Sequence, residues 1–205
     1  MDMNNVTWDW ALFDVLNFDG PAWLDSLMVA ISGVAMWIPL YLLIIYMIWR
    51  RYSWRGVVAL LVAVGVAMGA ADIIAGIFKH SGPLKHLWES FPVRHRPMFD
   101  SAVRDLCHVT SYAHGPYGTV SAHAATTVAL AWMSALAIRQ KWYNWVIAVA
   151  VILICYSRIY LACHFPMDIL IGAVVGSVCG LSIYFLWKKF DKVIEKIYLC
   201  KAKNE

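Results

Sequence analysis

Along this chain the charged residues fall into short clusters, separated by long stretches that carry almost none. Residues 27–49 hold no charge, and that length of helix crosses about 30 Å of hydrocarbon at about 1.5 Å per residue. Pro39 inside the stretch is a place for a kink. Arg50, Arg51 and Arg55 end it, and a second apolar run follows at 56–78, with Asp72 as its one charge. Gly65, Gly69, Ala70, Ala71 and Gly76 in that run predict close approach between helices. Three more apolar runs occupy 120–138, 145–162 and 165–187, the last entered through Pro166, which suits the first turn of a helix. Near the N-terminus, residues 4–18 place Trp8, Leu12, Val15 and Leu16 near one side of a helix. Asp9, Asp14 and the short length argue against spanning, so this segment reads as an amphipathic helix in the interface.

The pattern therefore predicts an all-α fold: a polytopic transmembrane helical bundle of about five spans plus an N-terminal interfacial helix, forming a single membrane-embedded domain over residues 1–205. The longest non-spanning segment, 79–118, is long enough for a functional loop.

Composition agrees with a membrane protein. The chain is 61% apolar and only 15% charged, with a mean hydropathy of +0.63, which excludes an ordinary soluble domain. The bilayer and a membrane lipid are the expected partners, nucleic acid is not, and the sequence leaves the oligomeric state open. The distribution of charge sets an orientation. Eleven Lys and Arg residues fall in 50–55, 139–141 and the 188–205 tail, against five in the 79–118 loop. The positive-inside rule then puts the tail in the cytoplasm, with the N-terminal helix, the long loop and the turn at 162–165 on the outer face. Five cysteines make no disulfide framework, although Cys107 and Cys163 share the outer face and a bridge between them is conceivable.

That topology gathers polar residues at one face: Lys79, Arg96, Ser121, His123, Arg158, His164 and Asp168 all lie at outer ends of spans or in the outer loop. Polar groups at such positions are expensive to keep in or near lipid. Guanidinium groups, an ammonium and a helix N-terminus at Ser121 suit an oxyanion such as phosphate. His164 and Asp168 stand four apart at the start of a helix, so a carboxylate can fix the imidazole tautomer and leave the other ring nitrogen as a nucleophile. His123 is placed to protonate a leaving oxygen. Asp72 either faces the same cavity or pairs locally. Tyr112, His114 and Tyr117 are candidates to line a headgroup site. The loop histidines 80, 86, 95, 108 and 114 lack a metal-ligand spacing, so neither a metal nor another cofactor is expected.

These residues carry a resemblance. Ser157-Arg158, five residues, His164, three residues, Asp168 resembles the third signature of the type 2 phosphatidic acid phosphatase superfamily. Val120-Ser121-Ala122-His123 resembles its second, usually Pro-Ser-Gly-His, and Arg96-Pro97 resembles the end of its first. The lysine of that first signature would stand at position 89, which is Glu89; Lys79 is the better candidate and Lys85 the fallback. The resemblance implies a metal-independent lipid phosphate phosphatase working through a phosphohistidine. His164 would be the nucleophile, Asp168 its orienting partner and His123 the general acid. Lys79, Arg96, Ser121, the backbone of Ala122 and Arg158 would hold the phosphate. It also implies a bacterial inner membrane with the site facing the periplasm or cell exterior. Undecaprenyl diphosphate is the first expected substrate, because the chain is compact; lipid A and phosphatidylglycerophosphate phosphatases are the alternatives. An anion transporter and a lipid phosphotransferase are competing expectations, although no internal repeat of the transporter kind is found.

Overall fold

The structure, a computed structural model, describes residues 7–78, 94–109 and 115–202. Among them are seven α-helices: α1 Thr7–Leu16, α2 Ala22–Ser32, α3 Ile38–Trp49, α4 Trp54–Ile77, α5 Ala122–Ile138, α6 Lys141–Tyr160 and α7 Pro166–Ala202. Helices α4 and α6 and the Pro166–Phe190 part of α7 are each long and apolar enough to cross a bilayer, whereas α5 is a shorter apolar helix. The outward faces are greasy: Val62, Ile73, Ile152 and Val174 are all more than 60% exposed. Exposed aliphatic side chains around a helical bundle are the signature of a lipid-facing surface.

Where one span was expected at 27–49, the chain makes two helices, α2 and α3, bent by 71°. The break falls at Gly33 rather than at Pro39. The Gly33 amide donates back to the carbonyls of Val29 and Ala30 and closes α2, while Pro39 sits in the first turn of α3, where its missing N–H is no loss. The Trp37 indole donates to the Ile31 carbonyl at 2.7 Å and pins the corner.

The bundle is built around α5 and α7. Gly172, Gly176 and Gly180 form a stripe on α7 that lies against the α5 backbone. A Cβ at Gly176 would come within 2.2 Å of the Ala125 carbonyl oxygen, and one at Gly172 within 2.5 Å of that of Ser121. Close backbone approach of this kind holds membrane helices together by van der Waals contact, since lipid supplies no hydrophobic drive. The glycines expected to act this way, Gly65, Gly69 and Gly76, face open space among the described residues. On α4 the packing face is Ala67, Ala71 and Ala75, all fully buried, so of the expected small residues Ala71 does pack inward.

The interfacial helix α1 also differs from expectation. Trp8, Leu12 and Val15 do face outward, but Asp9 is fully buried beside Phe13 and faces the protein. At the far end of the bundle, three donors from the α3–α4 turn and α7 satisfy the last carbonyls of α5. Arg51 Nη1 donates to Ile138 O at 2.8 Å, the Tyr52 hydroxyl to Ala137 O and the Tyr184 hydroxyl to Leu136 O. The basic residues at 50–55 and 139–141 thus share one end of the molecule. Helix α7 runs on through the basic segment to Ala202 instead of ending with its apolar run. Cys107 and Cys163 are free thiols, so the bridge considered between them is absent.

Candidate active site

At the other end, three chain segments converge. Residues 94–96 pair antiparallel with 116–118: Arg96 N donates to Pro116 O at 2.8 Å and Gly118 N to Arg94 O at 2.9 Å. The turn between α6 and α7 is held by Cys163 N and His164 N donating to the Arg158 carbonyl. The starts of α5 and α7 are tied by Ser121 N donating to the Asp168 carbonyl at 3.1 Å.

His164 sits buried at the junction. Its Nδ1 lies 2.9 Å from the Gly118 carbonyl oxygen, and its Nε2 lies 3.3 Å from Arg96 Nη1. A carbonyl only accepts, so Nδ1 carries the proton and Nε2 presents its lone pair toward the arginine. The carboxylate of Asp168 is farther from Nδ1, at 3.5 Å, and accepts from the Phe165 amide at 3.0 Å. The orienting contact expected from Asp168 is thus shared with, and led by, a backbone carbonyl. Gly118 is needed for that approach: a Cβ there would meet Arg96 Cγ at 2.8 Å and His164 Nδ1 at 3.4 Å.

Arg96 is buried, and Nη1 also donates to the Cys163 carbonyl at 3.2 Å. Burial pulls its guanidinium below the usual arginine value; the neighbouring Arg158 acts the same way, while Cys163 and Asp168 oppose the shift. Arginine nevertheless stays charged in proteins. Arg158, half-buried at the end of α6, donates through Nη1 to the Ser32 hydroxyl at the end of α2. The buried Nε groups of Arg96 and of Arg158 have no hydrogen-bond partner among the described residues. Buried donors of this kind are costly unless an acceptor arrives, and phosphate oxygens are the matching acceptors. Ser121 caps α5, its hydroxyl accepting from the Ala124 amide at 3.4 Å.

His123, in the first turn of α5, is exposed on the wall of a cavity of about 230 Å³ between α2, α3, α4 and α5. Ser32, Asp72, Ala122 and Thr127 line the same cavity. Lys79 and Lys85 lie outside the described residues, as do His80, His86, Tyr112 and His114. Tyr117 is described, and its ring packs on His95 with centroids 5.0 Å apart. Among the described residues no group of three metal-ligating side chains forms.

Two residues of the site were not anticipated. Arg94 Nη1 lies 2.5 Å from Asp9 Oδ2 and 3.6 Å from Asp168 Oδ1, and its guanidinium stacks over Phe165 at 3.7 Å. The other oxygen of Asp9 accepts from Met167 N at 2.8 Å, at the start of α7. Arg94, Arg96 and the exposed His95 between them follow the period-two alternation of an extended strand. That alternation was the available signal for Arg94. Nothing local marks Asp9, which reads as an interfacial acid.

Fold and site together define a polytopic helical membrane phosphatase. The chain belongs to the PAP2 superfamily, whose sequence profile matches residues 60–192, and it is a membrane lipid phosphatase of that family. A lipid A 4'-phosphatase of Bacteroides thetaiotaomicron is 29% identical over 180 residues, covering 85% of this chain and 76% of that one. An undecaprenyl-diphosphatase of Sulfolobus acidocaldarius is 25% identical over 177 residues, covering 84% and 75%. The crystal structure of Aquifex aeolicus LpxE aligns with a TM-score of 0.63 at 20% identity, over 89% of this chain and 98% of that chain, a likeness of fold.

Proposed function

We propose that the chain removes a phosphate from a lipid A-type glycolipid through a phosphohistidine at His164. The observation that carries the reading is the lone pair of His164 Nε2 facing Arg96 while the Nε donors of Arg96 and Arg158 wait for an acceptor. Nε2 attacks phosphorus, the bond from phosphorus to the lipid oxygen breaks, and His123 supplies the proton to that oxygen. Water then attacks the phosphorus of the phosphohistidine, losing a proton to His123, and inorganic phosphate leaves. The Gly118 carbonyl, with Asp168 behind it, stabilises the positive charge that grows on the ring. Arg96, Arg158, Ser121 and the amide of Ala122 hold the equatorial oxygens, with the first-signature lysine, Lys79 or Lys85, as a further cation.

The substrate preference is revised from the first expectation. The lipid A 4'-phosphatase resembles this chain at higher identity than the undecaprenyl-diphosphatase does, so lipid A comes first and undecaprenyl diphosphate second. We read the reaction as metal-independent, because fixed cations and a nucleophile account for each step. The positive-inside count supports a site facing away from the cytoplasm, and we read the membrane as the bacterial inner one. An anion transporter gives way to the phosphatase with the family assignment.

The test is phosphate release from lipid A by detergent-solubilised protein in excess chelator, with His164→Ala as control. The reading requires release by the wild type, none by the variant, and an acid-labile, base-stable phosphoenzyme on brief mixing with labelled substrate. A His164→Ala variant that keeps wild-type turnover sinks it. Label appearing on a second lipid instead of in water would make the protein a phosphotransferase.

A further inference from the structure

Asp72 is the one charge on α4 between Arg55 and the end of the helix at Ile77. Acids inside membrane helices are rare; they face protein or a water-filled cavity and mark substrate paths. Asp72 is exposed, and among the described residues it is the one acid lining the cavity that His123 and Ala122 share with Ser32. Thr126, Thr127 and Ser32 on that wall are already engaged. Thr126 and Thr127 donate to the carbonyls of Ala122 and His123 at 2.9 and 2.6 Å, and the Ser32 hydroxyl accepts from Arg158. Asp72 makes no hydrogen bond or ion pair with another described residue.

The cavity therefore has opposite chemistry on two walls. On one, the Ser32 hydroxyl accepts from Arg158, a cation that attracts phosphate. On the other stands a carboxylate, which repels phosphate and accepts only from a donor. The group that suits it is a hydroxyl, amide N–H or ammonium on the part of the substrate next to the phosphoester.

We propose that Asp72 is a specificity residue: its carboxylate accepts a hydrogen bond from a sugar hydroxyl or amide beside the scissile phosphate, selecting glycolipid phosphates over polyprenyl diphosphates. The inference rests on the phosphatase reading above and names the feature of the substrate that this site recognises. A polyprenyl chain offers only hydrocarbon beside its diphosphate, so it gains nothing from Asp72 and brings a second anionic phosphate near it. A site built to hydrogen-bond a substrate group discriminates strongly against substrates lacking it.

The experiment measures kcat/KM for wild type, Asp72→Asn and Asp72→Ala on lipid A and on undecaprenyl diphosphate, both in the same detergent. Asn keeps the shape of Asp and removes the charge. The ratio of kcat/KM values, lipid A over undecaprenyl diphosphate, should exceed one for wild type, fall by about tenfold or more in Asp72→Ala, and fall by less in Asp72→Asn, whose amide oxygen still accepts a hydrogen bond without the charge. An unchanged ratio overturns the inference, whether the two activities fall together, as they would if Asp72 acted through His123, or neither moves. Wild-type protein that hydrolyses neither lipid overturns the phosphatase reading itself, and this inference with it.

Discussion

The buried pair between Asp9 and Arg94 makes a sharp test of how α1 is bound to the site. Both side chains are at most 1% exposed, and Asp9 accepts from Arg94 Nη1 and from the Met167 amide. Truncation by Asp9→Ala leaves the Arg94 charge buried with only Asp168, at 3.6 Å, to compensate it. Removing one partner of a buried ion pair costs about 3–5 kcal/mol. The remaining carboxylate and the Phe165 ring favour the low end, about 3 kcal/mol, and the orphaned Met167 amide adds about 1 kcal/mol. A loss of about 4 kcal/mol corresponds to a fall in Tm of roughly 8–16 °C on the scale of soluble domains of this size. The assay is thermal unfolding in mild detergent followed by tryptophan fluorescence. Adding Arg94→Met to Asp9→Ala removes the stranded charge, so the double variant should lose less than the sum of the two singles by at least about 1 kcal/mol. If Asp9→Ala melts within 2 °C of wild type, or the two effects simply add, the network does not hold α1 to α7 as argued.

Two further predictions follow from individual residues. Gly118→Ala inserts a methyl 2.8 Å from Arg96 Cγ and 3.4 Å from His164 Nδ1; kcat on lipid A should fall at least about tenfold while Tm drops by only a few degrees, since small overpacking costs about 1–3 kcal/mol. Wild-type kcat with this variant would mean the Gly118 carbonyl does not position the imidazole. Burial pushes the Cys107 thiol up to about 11, with Asp100 adding to the shift. A raised thiol pKa leaves less thiolate at a given pH, about one part in a thousand at pH 8. Maleimide labelling of Cys107, read by peptide mass, should therefore be slow at pH 8 and speed up about tenfold per pH unit toward 11; rapid labelling at pH 7 would contradict the buried environment.

The sequence by itself determined that the chain crosses a membrane, roughly where, and which residues are the candidates for the chemistry. Those properties are local: a helix must satisfy its own backbone in lipid, so composition over twenty residues decides a span. Ser121, His123, Arg158, His164 and Asp168 stand at short, ordered spacings beside span ends, which a reader of the sequence can see. The tertiary structure alone decided which groups meet. The first span breaks at Gly33 because a capping amide and an indole bond close α2 there. The tight helix contact falls on Gly172, Gly176 and Gly180 rather than on the glycines of α4, because what matters is which face meets a neighbouring backbone. Asp9 reaches Arg94 across 85 residues of chain, and His164 takes its tautomer from a carbonyl 46 residues away. Partners that distant leave no trace in local pattern, since the free energy favouring them arises only when both are buried together.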